Sequence, residues 1–215
     1  MKGFYMETPC NIMISGPSGS GKSRLVEAIV GRLGDVFDRP AKQVIICYGR
    51  DQTLYDDIKK NSKIPIELVR GIPENLKTRP RTLLVIDDLQ EHADRICDYF
   101  TKIGHHSDLD IIYITQNLFL SSNAHRTASL NSHCLIILKN PRDRQQVYTL
   151  SRQISPDNPK FILSAYQQAT ERPHGYLVVN LKQNTPEHLR IRDSIFWAES
   201  SYFVDKNVGV PYDLI

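Results

Sequence analysis

Apolar positions along this chain fall into short continuous runs that alternate with helical stripes. Asn11-Ile12-Met13-Ile14-Ser15 is a brief apolar run, and after it Leu25, Val26, Ile29, Val30 and Leu33 recur at helical spacing. Gly34 and, further on, Pro40 close that helix. Gln43–Tyr48 reads as the second strand, Tyr55–Lys60 as a short helix, Ile64–Val69 as a strand and Pro73–Leu76 as a helical turn. Thr82–Asp87 is nearly all apolar, as expected of a strand buried on both faces. A helix is predicted next, with Leu89, Ala93, Ile96, Cys97, Phe100 and Ile103 on one side. Asp110–Thr115 and His133–Leu138 are further buried strands. Two helices follow: one from about Pro141 to Ile154, and one capped by Asn158 with Pro159 in first position. His174–Leu181 and Leu189–Arg192 can pair as a hairpin across Gln183-Asn184-Thr185-Pro186. The alternation predicts an α/β fold with a mainly parallel central sheet and helices on both faces.

A chain of 215 residues suffices for one such domain and little more. Residues 1–193 are read as that domain and 194–215 as a C-terminal tail, docked on the core through Phe196, Trp197, Tyr202 and Phe203. The net charge of +3 predicts no partner by itself. Its distribution is uneven, however. Between Arg126 and Arg192 lie Arg126, Lys139, Arg142, Arg144, Arg152, Lys160, Arg172, Lys182, Arg190 and Arg192, against only Asp143, Asp157, Glu171 and Glu187. Such a region fits contact with a polyanion, and equally a solvated surface. Cys10, Cys47, Cys97 and Cys134 are scattered without a C-x-x-C pair, which argues against a zinc ribbon or a disulfide framework. No signal peptide or membrane span is legible, so an intracellular location is expected, in cytoplasm or nucleus, with no membrane partner.

The chemistry enters at Gly16-Pro17-Ser18-Gly19-Ser20-Gly21-Lys22-Ser23, placed between the first strand and the first helix. This is a P-loop (Walker A) in its proper context. A triphosphate needs backbone N–H groups at close range, which bare glycines permit, and the helix start aims its positive end at the phosphates. Lys22 is expected to reach the β/γ oxygens and Ser23 to ligate Mg²⁺. Leu84-Val85-Ile86-Asp87-Asp88 adds a Walker B motif, with Asp87 as the second metal-binding group. Asp88 is the candidate for polarising the attacking water, or a helix N-cap; Glu91 is a reserve. Gln116 ends the next strand at the same rim, where an amide can orient water and sense a γ-phosphate. His105 and His106 are adjacent in a loop, make a poor metal pair and are read as loop structure. Arg126, in the loop after Gln116, is the leading candidate for a trans-acting arginine, with Arg142 and Arg144 as runners-up.

These blocks, with Thr101-Lys102-Ile103-Gly104-His105-His106, Ile112–Phe119, Leu130-Asn131-Ser132-His133 and Lys139-Asn140-Pro141-Arg142-Asp143, resemble the genome-packaging ATPases of the FtsK–HerA superfamily. The likeness is strongest to those of Polinton (Maverick) elements, virophages and adintoviruses, in the poxvirus-type packaging group, and covers about residues 10 to 155. It implies a RecA-like three-layer α/β/α sandwich, ATP and Mg²⁺ as ligands, and a ring, hexameric by analogy, with ATP between subunits. It also implies double-stranded DNA as cargo and a capsid or portal-like vertex protein as partner. Asp88 departs from the glutamate common in the wider superfamily.

The expected function is therefore ATP-driven translocation of double-stranded DNA into a capsid. A P-loop nucleoside or small-molecule kinase and a non-packaging DNA pump are the alternatives. A GTPase is disfavoured because no guanine-reading Asn-Lys-x-Asp occurs, and a non-hydrolysing nucleotide switch because Lys22, Asp87 and Gln116 are all present.

Overall fold

A computed structural model describes residues 5–73, 79–103, 108–119 and 122–205. The predicted strands form as β1 (Asn11–Ser15), β2 (Gln43–Tyr48), β3 (Ile66–Arg70), β4 (Thr82–Asp87), β5 (Leu109–Thr115) and β6 (Cys134–Leu138). They join β7 (Tyr176–Asn180), β8 (Ile191–Arg192) and β9 (Tyr202–Phe203) in one sheet ordered β3-β2-β4-β5-β1-β6-β7-β8-β9. Strands β3 through β6 in that order are parallel. The β7–β8 hairpin and β9 extend the sheet antiparallel at the β6 side.

Alternate residues of each buried strand point to opposite faces, and each face carries its own core. Ile12, Ile14, Val44, Ile46, Val85 and Ile114 pack under α1 (Lys22–Gly31) and α2 (Thr53–Asn61). Met13, Ile45, Leu84, Ile86, Tyr113 and Ile137 pack under α3 (Ala93–Asp98), α4 (Asn123–Leu130), α5 (Gln145–Ile154) and α6 (Pro159–Ala169). The mixed α/β arrangement with helices on both faces is the one read from the alternation. Ile195 and Phe196 bury against the first core, Arg32 stacks 4.0 Å from the Phe196 ring centroid, and Trp197 meets Tyr5 edge to face.

Three local readings change. The segment after β4 is not one α-helix: a 3₁₀ turn (Gln90–His92) precedes α3, and a π turn (Tyr99–Ile103) follows it. Tyr99 and Phe100, at the start of the π turn, are both buried. Helix α5 starts at Gln145 rather than Pro141, because Asn140 Oδ1 accepts from the backbone of Arg142 and Asp143, and Asp143 Oδ1 from Gln145. Helix α4 occupies a segment read as loop, capped by Ser122 Oγ accepting from His125 N at 3.1 Å. The predicted turn at Pro73–Leu76 lies mainly outside the described residues.

Asp110, at the start of β5, is buried and accepts from Cys10 N at 2.9 Å. Burial pushes its carboxyl up to about 7. An unfolded aspartate titrates near about 4. Between these values the folded chain holds a proton that the unfolded chain has released, so stability falls as pH rises through that window. Asp110→Asn keeps the acceptor for Cys10 and removes the ionisation. Thermal melts are expected to show the variant more stable than wild type at pH 8, on the order of 2 kcal/mol, and the two converging near pH 4. Parallel pH profiles would contradict this.

Among the described residues no helix is long and apolar enough to cross a membrane. Cys10, Cys47 and Cys134 are free and buried; burial raises all three thiols, the last two to about 12.

Candidate active site

Register decides which residues meet. Ser15 of β1 lies beside Thr115 of β5 and Ile137 of β6, while Asp87 of β4 lies beside Ile114 of β5 and Tyr48 of β2. The carboxyl ends of all these strands therefore share one rim. Strand β5 sits between β1 and β4, so Gln116 emerges between the P-loop and Asp87.

The loop from β1 to α1 needs its glycines. A Cβ on Gly16 would lie 2.9 Å from Leu138 Cβ and 2.8 Å from Ser20 Oγ. Gly21, which caps α1, has φ 106°. Lys22 opens the helix, and its Nζ donates to the carbonyls of Gly16 at 2.6 Å and Pro17 at 2.9 Å. Burial lowers the Lys22 pKa, and Asp88 and Asp87 oppose that shift. No acidic residue occupies the first turn of α1, and Ser20 Oγ is buried in the loop without a hydrogen-bond partner. A loop with an orphaned hydroxyl, a lysine folded onto its own carbonyls and an uncompensated helix start fits a phosphate chain.

Asp87 is buried, and its Oδ2 accepts from the Tyr55 hydroxyl and from Gln52 Nε2 at 3.1 Å. Its carboxyl is raised, chiefly by burial, while Tyr55 pulls it down. Asp88 is exposed with φ 51°, a left-handed backbone that aspartate tolerates. Its Oδ2 accepts from Gln116 Nε2 at 2.7 Å and its Oδ1 from Gln90 Nε2 at 3.0 Å. Its side chain caps no helix.

Lys22, Ser23, Asp87, Asp88 and Gln116 thus gather on one rim from three separate strand ends. Arg126 does not join them: it is exposed on α4. Arg142 and Arg144 lie in the loop between β6 and α5. Glu91 is exposed in the 3₁₀ turn beside His92. His105 and His106 fall outside the described residues, among which no three His, Cys, Asp or Glu converge to hold a metal. A hydroxyl and one carboxylate beside a phosphate loop instead suit Mg²⁺, which keeps much of its water shell.

Three residues near the site gave no signal in the sequence. Gln52 and Tyr55 reach Asp87 from the start of α2. His174, with φ 60°, places Nδ1 3.1 Å from the Ser20 carbonyl and its ring against Gly21. The basic C-terminal region also resolves into parts. Arg192 is fully buried, and Arg190 is held by Glu187 and by the carbonyls of Asn180, Lys182 and Thr185. Lys182 bonds the Pro9 carbonyl. These three serve the fold, which leaves the arginines before them to face solvent.

The fold has a counterpart among solved structures. The genome-packaging NTPase B204 of Sulfolobus turreted icosahedral virus 2, in complex with ATP-gammaS, superposes with a TM-score of 0.51. The match spans 82% of this chain and 94% of that one, at 15% identity. The chain has a P-loop NTPase fold. Weaker likenesses carry no argument for this P-loop fold. One is to the cytoplasmic domain of the type VII secretion ATPase EccC of Thermomonospora curvata: TM-score 0.47, 13% identity, 87% of this chain and 24% of that one. Another is to the assembled type III secretion ATPase EscN of enteropathogenic E. coli: TM-score 0.41, 15% identity, 60% of this chain and 43% of that one. No protein-family model and no curated protein matches the sequence.

Proposed function

We propose that this chain is a Mg²⁺-dependent ATPase that drives double-stranded DNA into a viral or virus-like capsid, as a member of the FtsK–HerA packaging group. The observation that carries the reading is the convergence of Lys22, Asp87, Asp88 and Gln116 on one rim, with β5 between β1 and β4. Support comes from the motifs that resemble that group and from the fold shared with a viral genome-packaging NTPase.

In this reading the loop from Gly16 to Ser23 cradles the phosphates, and Lys22 trades its loop carbonyls for the β/γ oxygens. Ser23 and Asp87 hold the divalent cation, which neutralises phosphate charge when bound. Gln116 fixes the Asp88 carboxylate, and Asp88 accepts the proton of the attacking water. Residues 1–193 form the RecA-like ATPase domain, 194–215 its docked tail. Subunits close a ring, so an arginine from a neighbour completes each site, and a capsid vertex receives the DNA.

The test is ATP hydrolysis with and without double-stranded DNA, over a salt series. DNA is expected to raise turnover, and its affinity to fall steeply with salt because phosphate contacts release counterions. Turnover indifferent to DNA, together with phosphorylation of a small acceptor, would establish the kinase reading instead.

A further inference from the structure

The start of α2 closes over the metal end of the proposed ATP site, and nothing in the P-loop or Walker B motifs accounts for it. Tyr55 is 1% exposed, its ring centroid 5.7 Å from that of Tyr48. Its hydroxyl donates to Asp87 Oδ2. Gln52, three residues earlier, donates to that Asp87 oxygen at 3.1 Å, and Tyr55 N bonds the Gln52 carbonyl at 3.0 Å. Two donors from one helix start thus fall on Oδ2, and Oδ1 is the oxygen that can accept from the water shell of a cation.

We propose that Tyr55, assisted by Gln52, is a positioning residue for the metal: it fixes the Asp87 carboxylate in the orientation that receives Mg²⁺ with the nucleotide. The inference rests on the ATPase reading above. The physical reason is that a buried carboxylate with only one strand to hold it can rotate about χ1 and χ2, whereas a hydrogen bond to one oxygen selects one orientation. Groups that orient ligands in this way are often worth about 10- to 100-fold in metal affinity. A tyrosine serving only the core would have no such selectivity for the metal.

The experiment is equilibrium binding of a fluorescent ATP analogue to the full chain, titrated with Mg²⁺ and repeated in EDTA. Wild type is expected to bind more tightly with Mg²⁺. In Tyr55→Phe the half-saturating Mg²⁺ concentration is expected to rise about tenfold, with Kd in EDTA moving less than about twofold. Gln52→Ala, at an exposed position, is expected to shift Mg²⁺ dependence the same way by a smaller factor. Wild-type Mg²⁺ dependence in Tyr55→Phe, or an equal loss with and without Mg²⁺, overturns the inference and leaves the ATPase reading standing. Should Tyr55→Phe not fold, Gln52→Ala decides, and unaltered Mg²⁺ dependence there overturns the inference. Failure of wild type to bind the analogue at all would sink the ATPase reading itself.

Discussion

Lys22→Ala is expected to lower ATP turnover by at least about a hundredfold while leaving the fold in place. The ammonium sits half-buried against the carbonyls of Gly16 and Pro17, held charged by Asp87 and Asp88 against the cost of burial. In that position it stores a positive charge inside the loop that receives phosphate. When phosphate arrives, the ammonium exchanges neutral carbonyls for anionic oxygens, and the gain is largest where negative charge builds in the transition state. Alanine removes that charge, and no longer side chain can reach in its place. The helix does not suffer, since Lys22 is the first residue of α1 and alanine is a good helix former. Steady-state hydrolysis and thermal melting, measured on one preparation, separate the two effects. Turnover near the wild-type rate, with melting unchanged, would remove the P-loop from the mechanism.

The residues that the sequence revealed share a position: each ends or follows an apolar run. Asp87 closes Thr82–Asp87, Gln116 follows Leu109–Thr115, and the P-loop follows Asn11–Ser15. A buried parallel strand has polar residues only at its ends, so its terminus marks the rim and the side chain that emerges there. Tyr55, Gln52 and His174 reach the same rim from α2 and from the turn before β7. Their approach depends on how those elements cross the sheet, which no local pattern records. The same limit explains α4. Only His125 and Ala128 of that helix are buried, too few apolar positions to draw a stripe. It also explains the charge count: Arg192 contributes to a basic segment on paper, yet lies wholly inside the protein. Lys182 is likewise held by a partner distant in sequence, the Pro9 carbonyl.

The arginine question turns on geometry between subunits, and a mixing experiment addresses it. Arg126 projects from α4, whose buried residues His125 and Ala128 face the core and leave Arg126 exposed. Arg126→Ala is expected to lose about a thousandfold or more in turnover, the usual worth of such a residue. Lys22→Ala is expected to be inactive for a separate reason. Mixing the two variants puts an intact Lys22 site beside an intact Arg126 at about a quarter of the interfaces in a one-to-one random ring. Hydrolysis should therefore recover to a substantial fraction of wild type, peaking near equal proportions. If Arg126 acted within its own chain, every subunit would carry one defect and no ratio would restore activity. If Arg142 or Arg144 supplies the charge instead, Arg126→Ala alone would keep its turnover, and the recovery would move to mixtures containing Arg142→Ala or Arg144→Ala. Absence of recovery in verified mixed rings sinks the trans assignment of Arg126, whereas a peak near equal mixing would leave a shared site between subunits as the simplest account.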